Sequence, residues 1–168
     1  MTESLPKRQH TVNRIRRSTG RTPAGDAFSA LVIAVFRLNG LLAAEGDALA
    51  RPAGQTSARW LVLAVVENGP ATVAQIARIL GLARQSVQRV ADLLEADGLA
   101  DFVDNPGHRR AKLLRLTPRG RRTLRKIQTA QRAWADELGG RIGDAELSRA
   151  TTVLDRVLAL LAARRRRR

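Results

Sequence analysis

Arg84, Gln85, Ser86, Gln88 and Arg89 crowd one short stretch of the chain, and each side chain can bond to a nucleic-acid base edge or phosphate. Arg grips guanine bidentately, Gln does the same to adenine, and Ser bonds to bases or phosphates. Val87 and Val90 recur among them at helical spacing, so the polar residues face away from a core. A second cationic cluster, His108-Arg109-Arg110, follows the turn-formers Asp104-Asn105-Pro106-Gly107. Arginine is favoured in a narrow minor groove by the enhanced negative potential there. Catalysis has no comparable candidates. The chain has no Cys and two His, His10 and His108, and its carboxylates are scattered. It carries no Gly-rich phosphate loop and no metal-ligand spacing, so neither enzyme activity nor a cofactor or metal is expected.

The charge balance agrees with the first reading. Thirty Lys and Arg against fifteen Asp and Glu give a formal net charge of +15 over 168 residues. A compact chain with that self-repulsion suits a polyanionic partner, nucleic acid before an anionic membrane. No run approaches ~20 uninterrupted apolar residues, so no membrane span is expected. The basic N-terminus lacks the apolar run of a secretory signal, which points to a soluble, cytoplasmic protein.

The elements that must position these side chains can be read in order. Residues 1–24 are polar and basic, with breakers at Pro6, Gly20 and Pro23, and read as a disordered arm. Phe28, Leu31, Val35, Leu38 and Leu42 predict an amphipathic helix over Asp26–Glu45, followed by a connector over 46–56. Ser57–Glu67 is apolar on nearly every side and reads as a buried helix. Thr72 and Gln75 form a capping box for a short helix to Leu80. A second helix is predicted from about Arg84 to Ala96, stopped by Gly98. Residues 99–117 read as a two-stranded hairpin. Thr117-Pro118 starts a long helix, predicted to end at Gly139-Gly140, and Asp144 is the expected cap of a last helix. Leu147, Leu154, Val157, Leu158 and Leu161 share one face of that helix, and the chain ends in five arginines.

The middle pair has the requirements of a helix-turn-helix. The small Ala77 sits where the second helix crosses the first, and Gly81 supplies left-handed dihedrals at the turn. Ile76, Leu80, Leu82, Val87 and Val90 are the expected inner anchors. A hairpin wing directly downstream places cations beside the groove that the second helix would enter.

The stretch IARILGLARQSVQRVADLLEADGLADFVDNPGHRRAKLLRLTPRG, Ile76 to Gly120, with Arg59-Trp60 and Leu63 before it, resembles the MarR family of bacterial transcription regulators. The likeness spans about residues 26–163. It implies a mainly α fold with a small β-hairpin wing, in which a winged helix-turn-helix core is flanked by N- and C-terminal dimerisation helices. It divides the chain into a basic arm (1–24), a dimerisation helix and connector (25–56), a winged DNA-binding domain (57–120), C-terminal dimerisation helices (121–163) and a basic tail (164–168). It also implies a homodimer on an approximately palindromic operator, acting as a repressor. Release by a small aromatic or anionic ligand is common in the family, although Trp60, a candidate for lining such a site, reads as core.

Two positions depart from the family pattern. His108 stands where an acidic residue usually precedes the wing arginines, and Ala83 where Ser or Thr usually caps the recognition helix. Asp92 matches a family acidic residue and is expected to pair with Arg109 or Arg110. An architectural protein that coats DNA with little sequence preference is the alternative reading.

Overall fold

The computed structural model describes residues 20–108 and 110–167. Among the described residues, six helices and three short strands follow one another as α1 (Pro23–Ala50), α2 (Ser57–Glu67), β1 (Ala71–Thr72), α3 (Val73–Leu80), α4 (Arg84–Ala96), β2 (Ala100–Val103), β3 (Leu113–Leu116), α5 (Pro118–Ile142) and α6 (Asp144–Arg166), with one 3-10 turn, Arg51–Ala53, after α1. The fold is mainly α with a small antiparallel sheet, as expected.

α1 is longer than its apolar periodicity indicated. Thr22 caps it by accepting from Gly25 N, and it runs through Glu45 to Ala50, so half of the expected connector is helix. Of the arm, residues 1–19 lie outside the described residues, while Pro23 and Ala24 are already helical. By length and composition α1 is apolar enough to cross a bilayer, with a mean hydropathy of 1.9 over eighteen residues. The expectation that no segment could do so counted only uninterrupted runs. Arg37 divides this one, and a charge at mid-bilayer is costly.

The core lies under the helix-turn-helix. Val62, Leu63 and Val66 of α2 meet Ile76 and Ala77 of α3, and Val87, Ala91 and Leu94 of α4. Leu99, Leu114, Leu116 and Leu124 close it from the sheet and α5. Trp60 packs against this cluster partly buried, in keeping with its reading as core. The sheet has the order β1-β3-β2, with Leu114 between Ala71 and Phe102. The sequence indicated two strands, because a two-residue β1 is too short to show any periodicity.

Two C-terminal expectations are corrected. α5 continues through Gly139-Gly140 to Ile142, since glycine costs a helix only ~1 kcal/mol per residue. An i,i+4 pair between Arg141 and Glu137 at 3.0 Å bridges them. Gly143, not Asp144, is the cap of α6; Asp144 is the first helical residue and makes no side-chain cap bond. α6 buries none of its residues fully and extends into the arginine tail as far as Arg166.

Candidate nucleic-acid interface

α3 begins with the capping box that the sequence indicated. Gln75 N donates to Thr72 Oγ1 at 3.2 Å, and Thr72 N donates to Gln75 Oε1 at 2.8 Å. The helix ends at Gly81, whose φ of +67° lies in the left-handed region. Leu82 N then donates back to Ala77 O at 2.9 Å. This bond folds Leu82 over the end of α3, leaving it 47% exposed, so Leu82 closes the turn rather than anchoring the core as expected. Ile76 and Val87 are fully buried, and Leu80 and Val90 pack partly buried against the same cluster.

α4 is held from below by Val87, Ala91 and Leu94. Arg84, Gln85, Ser86 and Arg89 are exposed on its outer side, and Gln88 is half-buried among them. Ala83 is the N-cap and forms no side-chain cap bond, so the first amides of α4 are left open. Asp92 accepts from Gln88 Nε2 at 2.7 Å, fixing that amide on the outer face. Among the described residues Asp92 makes no ion pair with Arg110, so that half of its expected pairing is not met; Arg109 lies outside the described residues.

The wing is built around its turn. Gly107 N donates to Asn105 Oδ1 at 3.0 Å, and His108 N to Asn105 O at 3.1 Å. His108 and Arg110 are both exposed. A cavity of about 260 Å³ separates the wing from the start of α3, with Arg84 and Gln88 on one side and Arg110 and Lys112 on the other. The cations of helix and wing therefore converge.

Two ion pairs escaped the sequence reading. Asp101 and Arg115 lie directly opposite in the β2–β3 register, and the Arg115 guanidinium donates two hydrogen bonds, of 2.6 Å and 3.2 Å, to the Asp101 carboxylate across the base of the wing. The hydrogen bond from Arg115, and then its charge, hold the Asp101 carboxyl below its ordinary value of 3.8. The signal for this pair was the strand register, which needs the turn length to be known. Arg59 Nη2 donates to Leu93 O at 3.1 Å and to Asp97 Oδ2, tying α2 to the far end of α4. No local pattern links residues so distant in sequence.

A family model described as the MarR family matches residues 53–111, from the end of the 3-10 turn to the wing tip. A relative from Mycobacterium tuberculosis, the uncharacterized protein Rv2011c, is 41% identical over 140 residues, covering 83% of this chain and 98% of its own. A crystal structure of a MarR family transcription regulator superposes with a TM-score of 0.70 at 25% identity, over 82% of this chain and 94% of that one. The chain belongs to the MarR family.

Members of the MarR family are transcription regulators and not enzymes, and the winged helix-turn-helix is their DNA-binding fold. Two further structures share the fold. The M. tuberculosis transcriptional regulator MosR, solved in complex with DNA, has a TM-score of 0.65 at 24% identity and covers 77% of this chain and 96% of its own. CouR from Rhodococcus jostii RHA1, bound to p-coumaroyl-CoA, has a TM-score of 0.68 at 21% identity, covering 76% and 90%. In this MarR-family chain α4 is the second helix of the helix-turn-helix and β2–β3 form the wing.

Proposed function

We propose that this MarR-family regulator binds double-stranded DNA site-specifically as a homodimer, represses transcription from the cytoplasm and releases DNA on binding a small aromatic or anionic ligand. One observation carries the reading. Arg84, Gln85, Ser86 and Arg89 stand exposed on a helix anchored by three buried residues, beside a wing that presents His108 and Arg110. Placed in the major groove, the α4 side chains reach base edges, while the wing cations, Arg109 included, reach the adjacent minor groove or phosphates. Ala77, Gly81, Val87 and Asp92 hold the arrangement without touching DNA.

Dimerisation is supported by what the single chain leaves uncovered. Phe36 and Leu41 of α1 are 73% and 66% exposed, and Leu158 and Leu160 of α6 are 64% and 72% exposed. Apolar side chains on two neighbouring helices favour burial against a second copy. Two recognition helices then read half-sites about one turn, ~34 Å, apart, so the operator is an approximate inverted repeat. The ligand reading rests on CouR, which was solved with p-coumaroyl-CoA. A selection of genomic fragments bound by the purified protein, followed by footprinting, tests the proposal. A protected inverted repeat with one-turn spacing is expected; fragments with no common sequence would replace it with an architectural role.

A further inference from the structure

The N-terminal half of α5 carries a charged face that α4 and the wing leave unused. Residues 119–126 hold Arg119, Arg121, Arg122, Arg125 and Lys126 and no carboxylate, and all these cations are exposed. They fan over the outer side of the helix, while Gly120, Leu124 and Ile127 fill the inner side and are buried. Among the described residues none of them enters an ion pair, although the charge of Arg121 reaches Asp101.

Helix stability does not account for this face. Cations in the first turns oppose the helix dipole, and Arg122 repels Arg125 and Lys126 at i,i+3 and i,i+4. The face is also rigidly oriented. Thr117 Oγ1 donates to Gly98 O at 2.8 Å and accepts from Gly120 N at 3.0 Å. A Cβ on Gly120 would lie 1.9 Å from Leu99 O, so α5 is seated directly on the chain leaving α4. The backbone that carries the cations is thus fixed relative to the C-terminal end of α4.

We propose that this face of α5 is a second DNA-contacting surface, binding the phosphate backbone of duplex outside the base pairs that α4 and the wing read. The proposal rests on the reading of the chain as a DNA-binding regulator. Arginine dominates the face, and its planar fork matches phosphate oxygens. Residues 119–126 cover roughly 10 Å of helix axis at ~1.5 Å per residue. Measured along the duplex axis, where one strand carries a phosphate every ~3.4 Å, that length accommodates on the order of three phosphates. No large apolar side chain is exposed on the face. A protein partner would need such an anchor at the centre of its interface, whereas a phosphate backbone needs none.

The test uses the full chain with Arg119→Gln, Arg122→Gln, Arg125→Gln and Lys126→Gln combined. It is titrated beside the wild type and an Arg84→Ala, Arg89→Ala variant against a mixed-sequence duplex of about 40 base pairs, at ~50–200 mM salt. The α5 variant should lower the log–log salt slope by about two to three and bind at least ~10-fold more weakly. Its preference for a genomic fragment over the mixed duplex should stay that of the wild type. An unchanged slope and affinity would overturn the proposal and leave the face to an acidic protein. A loss in the α5 variant alone, with the α4 variant binding as wild type, would keep the proposal and overturn the reading of α4. If circular dichroism finds the combined variant unfolded, Arg122→Gln and Arg125→Gln singly are each expected to lower the slope by about 0.9.

Discussion

At the scale of single residues, the proposed function assigns base reading and phosphate binding to different side chains with different signatures. On the proposed reading Arg84, Gln85 and Arg89, exposed on α4, make the base contacts. Each, changed to Ala, should cost ~1–3 kcal/mol against the preferred site and relax the preference at one base pair. Arg110→Ala should instead weaken binding alike on all sequences and lower the salt slope by about 0.9. Competition binding against single-base operator variants distinguishes the two patterns. Acid sensitivity is also local. The Arg115 bonds hold the Asp101 carboxyl below 3.8, and the Ser57 backbone amide, donating at 2.6 Å, lowers that of Asp47. A lowered carboxylate stabilises the fold above its unfolded pKa and ceases to as pH falls through its folded value. The thermal midpoint should therefore fall as pH drops below 3.8, and Asp101→Asn should make that fall shallower.

At the scale of elements, the caps and turns were the most legible features. The Thr72–Gln75 box, the left-handed Gly81 and the Thr117-Pro118 start all rest on interactions within four residues, so residue type alone declares them. The five polar residues of α4 were legible for the same reason, since helical periodicity fixes which side they take. Leu82 misled because an apolar residue just past a glycine cap can close the turn instead of entering the core. β1, the Asp101–Arg115 pair and the Arg59 tie depend on partners 14 to 43 positions away, a distance at which spacing carries no information. The uncapped start of α4 gives a prediction at this scale. Ala83→Ser supplies an acceptor for the open amides and should raise stability by about 0.5–2 kcal/mol, read from urea unfolding. No gain would mean that those amides already find partners.

For the whole molecule, the described chain is a buried winged core joined to two long helices whose apolar faces are open. A monomer that exposes Phe36, Leu41, Leu158 and Leu160 gains by pairing, and sedimentation equilibrium should give twice the chain mass. Leu160→Glu should shift the chain toward monomer and cost DNA affinity, because one recognition helix then binds without the other. A net charge of +15 favours non-specific binding to any DNA, so affinity alone does not establish site reading. The decisive measurement is the ratio of affinities for a genomic fragment the protein selects and a scrambled duplex of equal length, at ~150 mM salt. A ratio of ~10³ or more, reduced by Arg84→Ala or Arg89→Ala, is the result expected of a regulator that reads its site through α4. Equal affinity for the two duplexes, unchanged by either substitution, would contradict it.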